Sequence, residues 1–413
     1  MAFSVKKGTI TAHTSTGSQG YTGVGFTPKA IAFWGTNQTA TGYLGNVRVF
    51  YGAATRQGGS TQQWCQAISA DDTLGTSDTG RGNNNAACIH AHNDATTPTV
   101  EMVADLTSFD ADGFTLNWSI AAGSAWIIHY LALGGSDITN AYAGNVLTTA
   151  TTSNQAITAP GFTPEALWGV CNLQGAWNQD ISQGNICMGF ATPAARGTTA
   201  WRSRDAQANE DGAGSQITTQ WLSGIASTAG TAAPVIEVAS WDANGFTIQD
   251  DFGVAMAVGY LAIAGGQHFV GSETSRTSTG TKATTGVGFE PTGVAMMSWG
   301  LAASASIDTS SDVNLAFGAS DETSEGYTGI SLDDGNTTMA VDMRTVDTKV
   351  IGAQDVTPAT IREADLDSFD ADGFTLNWTT ADATAAQFIY WAMGSDPAAP
   401  GGVRMLATTG VGK

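Results

Sequence analysis

The chain has 413 residues, of which 37 are Asp or Glu and only 16 are Lys or Arg, so its formal net charge is -21. Charged residues make up 13% of the chain, about half of the ~25% usual in globular proteins. So few cations exclude the broad basic surface that nucleic acids require, and an anionic membrane would repel the chain. A hydrophobic content of 42% is enough for packed cores, which excludes general disorder.

The N-terminal segment MAFSVKKGTITAHT has no apolar h-region and no small-residue cleavage site, so it predicts no secretory signal. The longest apolar stretches, 125–133 and 254–264, are shorter than the ~20 residues that a membrane-spanning helix needs. The cysteines lie in unlike contexts, which favours buried free thiols over a disulfide framework: Cys65, Cys88, Cys171 and Cys187. We therefore expect a protein that is made in a cytoplasm and needs no cofactor.

Three landmarks recur in the same order along the chain, with a period of about 130 residues. The first is a GF-x-P turn before an apolar run, with Phe26 and Pro28, Phe162 and Pro164, and Phe289 and Pro291. The second is a DGF or NGF segment, with Phe114, Phe246 and Phe374. The third is an apolar run that contains Tyr130, Tyr260 and Tyr390. A fainter fourth landmark pairs phenylalanine with small residues near Phe50, Phe190 and Phe317.

The repeats predict three tandem domains, at 1–136, 137–266 and 267–396, followed by a C-terminal tail at 397–413. Within a unit the apolar runs are short and are separated by Gly, Asn, Asp, Ser and Thr clusters. No stretch has the sustained 3.6-residue period of a helix. The pattern therefore predicts an all-β protein of three antiparallel β-sandwich or jelly-roll-like domains on a string, each with seven to ten strands.

Two carboxylates precede the glycine of the second landmark in the first and third units: Asp110 and Asp112, and Asp370 and Asp372. Carboxylates two residues apart could begin a calcium loop. However, no Glu completes such a loop, and the segment leads directly into an alternating strand. A hairpin turn in which Gly takes a positive φ and Asp binds the local backbone explains the threefold copy better. We therefore assign no metal, and these four residues stay weak candidates.

Other potential sites are also expected to be structural. Cys88, His90 and His92 alternate along one predicted strand and could supply three zinc ligands, but neither other unit repeats them. The pairs Asp71–Asp72 and Asp333–Asp334 lie in predicted loops, and adjacent residues on an extended chain point apart, so no glycosidase pair is identified. No nucleophile elbow, phosphate-binding loop or zinc-protease motif is present. We expect no catalytic residue.

The chain has 12 tryptophans, and two of them, Trp118 and Trp378, occupy equivalent positions after the DGF segment. Others are placed irregularly, at Trp64, Trp177, Trp201 and Trp221. Exposed tryptophans would stack on sugar rings, whereas core packing and subunit contact are the commoner uses of aromatic residues.

Taken together, the landmarks make the sequence similar to repeat domains of structural proteins in tailed-phage virions. The resemblance rests on the GF-x-P turn, the DGF segment and the closing Tyr strand in all three units, and hence covers nearly the whole chain. It implies a jelly-roll-like fold and a virion setting, with synthesis in the host cytoplasm. It carries over no catalytic residue.

These observations lead us to expect a non-enzymatic structural protein on the particle exterior, as a capsid decoration or a tail or fibre component. Its partners would be capsid or tail subunits and further copies of itself, with no nucleic acid and no membrane insertion. Three similar units would also imitate a trimer at a threefold site. Residues 403–413 resemble residues 282–289 in sequence. As a strand outside the three units, they could pair with the sheet edge of a neighbouring subunit. Deleting them should weaken assembly but leave the units folded.

Two alternatives remain open at this point. A glycan-binding or receptor-binding array would need exposed Trp and Tyr side chains clustered at one end of each unit. A polysaccharide depolymerase would need two or three acids converging in a groove.

Overall fold

The computed structural model describes residues 2–93, 98–225, 235–251, 253–298, 300, 305–308, 313–357 and 359–397. These residues form 33 strands and no helix, so none contributes a helix that could cross a membrane. The all-β prediction is confirmed. The strands fall into three units of eleven, and each unit repeats the same order of pairing.

Unit 1 contains strands β1 to β11, at Phe3–Thr11, Gly17–Thr22, Pro28–Thr36, Gly42–Gly45, Val47–Gln57, Ser60–Ala70, Thr79–Asn84, Ile89–His92, Val100–Asp110, Gly113–Ile120 and Ile127–Gly135. Unit 2 contains β12 to β22, at Asn140–Leu147, Asn154–Ile157, Ala166–Cys171, Asp180–Ser182, Gly184–Ala191, Arg196–Ser203, Gly212–Ile217, Leu222–Ser223, Val235–Asp242, Gly245–Asp250 and Ala257–Ala264. Unit 3 contains β23 to β33, at Gln267–Thr274, Gly280–Thr285, Gly293–Ser298, Ala305–Asp308, Val313–Ser320, Glu325–Leu332, Val341–Val346, Ile351–Gln354, Thr360–Asp370, Gly373–Thr380 and Gln387–Gly394.

Each unit is a sandwich of a large inner sheet and a four-stranded outer sheet. In unit 1 the inner sheet has the order β1-β11-β3-β5-β6-β7, and the outer sheet has the order β2-β10-β9-β8. Units 2 and 3 repeat both orders with every strand number raised by eleven and by twenty-two. The first strand pairs with the last and the second with the second-to-last, a nested arrangement that is jelly-roll-like.

A short strand from a different unit completes each inner sheet as its seventh strand. Strand β15 of unit 2 pairs with β7 of unit 1, β26 of unit 3 pairs with β18 of unit 2, and β4 of unit 1 pairs with β29 of unit 3. All three donated strands follow the equivalent inner strand of their own unit. The exchange is therefore cyclic, and it closes the three units into a ring with pseudo-threefold symmetry.

The apolar side chains form four cores. Three of them lie inside the sandwiches, one in each unit, between the inner and the outer sheet. The fourth contains residues from all three units and covers the other faces of the inner sheets. Because inner strands are buried on both faces, they are nearly continuous apolar runs, such as β14 and β22, whose residues are all buried.

The structure does not confirm the division into three separate domains on a string. The chain does pass from unit to unit at the expected places, between Gly135 and Asn140 and between Ala264 and Gln267. However, the units share one central core and exchange strands. Eleven strands per unit, where seven to ten were expected, include the donated strand, which has only three or four residues. Most of the predicted C-terminal tail, including 403–413, lies outside the described residues.

Candidate functional site

The repeated Phe and Tyr landmarks form the same contact in each sandwich core. The ring centroids are 5.2 Å apart for Phe114 and Tyr130, and the edge-to-face geometry recurs at 5.1 and 5.0 Å in units 2 and 3, between Phe246 and Tyr260 and between Phe374 and Tyr390. A glycine faces each tyrosine on the first strand of the unit. A Cβ atom on Gly8 would lie only 2.2 Å from the Tyr130 ring. These landmarks therefore fix packing.

The GF-x-P landmark leads the chain into an inner strand. Its prolines, Pro28, Pro164 and Pro291, are buried. Phe162 is buried in the sandwich core of unit 2, while Phe26 and Phe289 are half-buried against those of units 1 and 3. In unit 1 the preceding TGVG segment, residues 22–25, forms a turn with Gly23 at φ 90° and Gly25 at φ 86°.

The weak calcium candidates bind the chain's own donors. In unit 1, Asp110 accepts hydrogen bonds from Ser108 and Thr115, each at 2.8 Å. Asp112 accepts the backbone N–H groups of Gly23 and Gly25, at 3.1 and 2.5 Å. Unit 3 repeats these bonds at Asp370 and Asp372. The carboxylates thus join the hairpin turn to the neighbouring glycine turn, and no described group of three His, Cys, Asp or Glu could hold a metal ion.

The role of Asp112 predicts a small, calcium-independent loss of stability on substitution. Asp112→Ala should lower the free energy of unfolding by about 1 kcal/mol, because two backbone donors lose their partner but can bind water. Asp112→Asn, which keeps an acceptor oxygen as Asn244 does in unit 2, should recover most of this loss. Urea denaturation in EDTA and in calcium measures both. A midpoint that rises with calcium only in the wild type would instead identify an ion site.

Cys88, His90 and His92 are all buried, but Cys88 precedes the strand that holds the two histidines, because β8 begins at Ile89. The Cys88 thiol donates to the carbonyl of Ala104 inside the unit 1 sandwich, and burial raises its pKa well above the usual value. His90 Nε2 lies 2.8 Å from the carboxylate of Asp180, which begins the strand donated by unit 2. Burial lowers the pKa of His92 to about 4. All four cysteines are buried and free.

The two predicted Asp pairs lie in loops within a unit, and each loop contacts a neighbouring unit. Asp72 of unit 1 accepts the Val341 N–H at the start of β29 in unit 3, at 3.1 Å. Asp334 of unit 3 accepts the Gly212 N–H at the start of β18 in unit 2, at 2.8 Å. The second residue of each loop therefore caps the first residue of a strand in the next unit.

Unit 2 completes this cycle with a residue that the sequence analysis missed. Asp205 accepts the Thr79 N–H at the start of β7 in unit 1, at 3.3 Å. It is the second residue after β17, as Asp72 is after β6 and Asp334 is after β28. Arg204 precedes it where the other units have a second Asp, so no pair signals it. Alignment of the units on strand ends would have found it.

Glu210 in the same unit 2 loop was also missed. The residue is 3% exposed, and its carboxylate accepts a hydrogen bond from the Ala340 N–H of unit 3 on one oxygen, at 3.0 Å. The other oxygen is buried without a partner among the described residues. Burial raises the pKa of Glu210 to about 8, and the nearby charges of Asp333, Asp334 and Asp72 raise it further.

Two further polar networks cross between units. The Lys7 ammonium of unit 1 donates to the carbonyl of Glu325 in unit 3, at 2.6 Å, and burial lowers the pKa of Lys7 to about 8. Arg344 of unit 3 pairs with Glu363 at 2.8 Å and lies 4.8 Å from the ring centre of Tyr43, on the strand donated by unit 1. These contacts fasten donated and edge strands to their hosts.

No described tryptophan is fully exposed. Trp64, Trp118, Trp201, Trp221 and Trp378 are buried, and Trp177 is half-buried. The Trp64 indole crosses a unit boundary and donates to the carbonyl of Tyr260, at 2.8 Å. Where unit 2 replaces the repeated tryptophan with Asp250, the carboxylate accepts the Thr148 hydroxyl at 2.7 Å. The tryptophans that the structure describes therefore pack cores and junctions.

Comparison with known proteins identifies no family: no family model and no curated protein matches the chain. Among solved structures, the Acinetobacter phage vB_ApiP_P1 tailspike protein is 11% identical over 32% of this chain and 21% of its own, with a TM-score of 0.12. The Nitrosomonas europaea protein NE1406, an AttH candidate, is 9% identical over 89% and 93% of the two chains, with a TM-score of 0.15. The P. putida toluene transporter TodX is 9% identical over 92% and 91%, with a TM-score of 0.09.

Proposed function

We propose that this protein is a non-enzymatic structural component of the exterior of a tailed-phage or similar virus particle, acting through protein–protein contacts. The observation that carries the proposal is the cyclic strand exchange among three equivalent units. One chain thereby presents three similar faces around a pseudo-threefold axis. Such a body matches a threefold or trimeric position on a shell or a tail without needing three separate subunits.

The residues that sequence analysis considered for chemistry favour this reading. Asp72 and Asp334 cap strands of neighbouring units, and Asp112 caps a turn. Each of these carboxylates therefore has a structural partner, which is not the arrangement of a convergent catalytic pair. A sugar-binding array receives no support from the described tryptophans, because none of them is fully exposed.

The test is the location of the chain in purified particles. Quantitative mass spectrometry and cryo-electron microscopy of particles from the virus that encodes it should find it outside the shell or on the tail, centred on a threefold or quasi-threefold position. Docking should weaken as salt is raised, since the chain carries a net charge of -21 and would bind less acidic surfaces.

Two results would overturn the proposal. Absence of the chain from particles would exclude a virion component. Release of reducing ends from host capsule polysaccharide by the purified chain would identify an enzyme. A separate experiment tests the C-terminal segment. A variant lacking residues 403–413 should be incorporated into particles less than the full chain, and equal incorporation would exclude that segment as an assembly contact.

A further inference from the structure

A cavity of about 160 Å³ lies at the junction of units 1 and 2 and is lined by two arginines. Arg81 comes from β7 of unit 1, and Arg202 comes from β17 of unit 2. Asn185, Met256 and Val254 line the same cavity, and Val254 is 46% exposed, which places it at the mouth. Among the described residues, no carboxylate lines the cavity. Two cations thus converge on one space in a chain where acids outnumber bases by more than two to one.

Neither guanidinium has an acidic partner among the described residues. Arg81 is half-buried and forms no ion pair with a described residue, and its Nε is buried without a hydrogen-bond acceptor among them. Arg202, which is 9% exposed, donates to the carbonyl of Ile225 at 3.0 Å but forms no ion pair with any residue in the described ranges. Asp211, whose charge acts on Arg202, is paired with Arg204 at 2.7 Å. Burial and their like neighbours lower the pKa of both arginines, that of Arg81 to about 10, which still leaves them charged at neutral pH.

A buried charge without a partner is costly, and structural arginines normally receive a carboxylate or several carbonyls. A guanidinium is also the side chain best suited to hold a planar or tetrahedral oxyanion. We propose that this cavity is a binding site for a small oxyanion, a carboxylate or phosphate group, held between Arg81 and Arg202. Because a water occupies roughly 30 Å³ of liquid, the cavity has room for the anionic group and a few further atoms.

A third lining residue, Asn185, restricts the class of anion that the cavity would bind. Asn185 is 3% exposed, and its amide nitrogen donates to the carbonyl of Ile225 at 2.8 Å. Its carbonyl oxygen is buried without a donor among the described residues. An anion that also carries a hydroxyl would satisfy this acceptor. The site therefore favours hydrogen phosphate or a hydroxylated sugar acid over sulfate.

The site does not follow the repeat, which separates it from the structural roles described above. The inner strands can be aligned on Gly52, Gly189 and Gly318, which pair with Cys65, Thr198 and Tyr327. On this alignment the counterparts of Arg202 are Ser69 and Ser331, and those of Arg81 are Gly214 and Met343. The two arginines therefore meet at only one of the three junctions. The strand exchange occurs at all three junctions, whereas this arginine pair occurs at one, so closing the ring does not depend on the pair.

The test is calorimetric titration of the full chain with inorganic phosphate, sodium glucuronate and sodium sulfate at constant ionic strength. Phosphate or glucuronate should bind saturably, and sulfate should bind more weakly. Arg81→Gln should weaken binding at least tenfold, as expected when a charge-assisted hydrogen-bonding group is removed. Because Arg81→Gln could also disturb the junction, Val254→Glu provides a second variant: it adds a negative charge at the exposed mouth and should likewise weaken binding tenfold.

Arg276→Gln is the matched control, because it removes one positive charge from a half-exposed turn in unit 3 outside the cavity. It should leave binding unchanged. Two results would overturn the site: no saturable binding of any of the three anions, or binding that Val254→Glu and Arg81→Gln leave at the level of Arg276→Gln. Thermal unfolding of each variant reports whether it is folded. The outcome is independent of where the chain sits in a particle.

Discussion

Phe317→Ala should destabilise the whole protein by about 4 kcal/mol, within the range measured for buried Phe→Ala substitutions. Phe317 is 2% exposed and lies in the central core. Its ring centroid lies 5.2 Å from the ring centroid of Trp34 in unit 1 and 5.3 Å from that of Trp168 in unit 2. Removing it leaves a cavity at the point where all three units meet. Urea denaturation followed by circular dichroism measures the loss.

The strands that lose protection against hydrogen exchange distinguish a shared core from independent units better than the size of the stability loss does. Phe317→Ala should increase amide hydrogen exchange in inner strands of all three units, including β3, β14 and β27, because each lines the central core. Phe374→Ala provides a matched control, since Phe374 is 0% exposed and packs within the unit 3 sandwich against Tyr390. It should cost a similar free energy but increase exchange mainly in unit 3. Loss of protection confined to unit 3 in the Phe317 variant would show that the units are energetically independent.

The places of several strands and turns along each unit were predictable from sequence, because they depend on local signals. The GF-x-P turn, the two-residue hairpin before Gly113 and the closing Tyr strand each specify a connection that the structure contains. The glycine after the hairpin is fixed by close approach, since a Cβ on Gly113 would lie 1.9 Å from the Tyr21 carbonyl oxygen. Constraints of this kind recur in every unit and so remain visible in the sequence.

The strand exchange could not be predicted for a physical reason. The donated strands have the sequences GYLG, DIS and ASID, which share no pattern. Their pairing uses backbone hydrogen bonds and therefore demands little of the side chains. Only the contacts around them are specific, such as Asp180 with His90, and these differ from one junction to the next.

The sequence contains one indication of the central core, which is the nearly continuous apolarity of the inner strands. Nearly continuous apolar strands mean that both faces of a sheet are covered, and a separate sandwich covers only one. The faint fourth landmark was wrong as an alignment: Phe50 lies in the unit 1 sandwich core, whereas Phe190 and Phe317 lie in the central core. By strand register the counterparts of Phe317 are Tyr51 and Met188. Packing against other units selects size and apolarity rather than one residue type, so no motif survives there.

Glu210, in the unit 2 loop that contacts unit 3, should make the stability of the protein depend on pH. In the folded chain the pKa of this carboxyl is about 8, against about 4.3 for an exposed Glu. Between these values the unfolded chain releases the proton and the folded chain keeps it. The free energy of unfolding therefore falls as pH rises through this range, by roughly 5 kcal/mol in total for this one group. The contribution is fully present below the unfolded pKa and is lost above the folded one.

Glu210→Gln removes this titration while nearly preserving the shape of the side chain. The variant and the wild type should have similar unfolding free energies near pH 5, and the variant should be several kcal/mol more stable at pH 9. Chemical denaturation of both proteins at the two pH values measures the difference directly. Other buried groups, such as Glu325 with its pKa raised by burial to about 7, titrate in both proteins and cancel in the comparison.

Glu322→Gln is the control, because Glu322 is exposed on a turn of unit 3, and it should give no pH-dependent difference. A difference between Glu210→Gln and the wild type that stays flat from pH 5 to 9 would mean that Glu210 ionises normally in the folded state. That result would require solvent to reach its unpartnered oxygen, and hence a looser junction between units 2 and 3 than the Ala340 contact implies. The stabilisation at high pH therefore measures how tightly the loop of unit 2 is closed against unit 3.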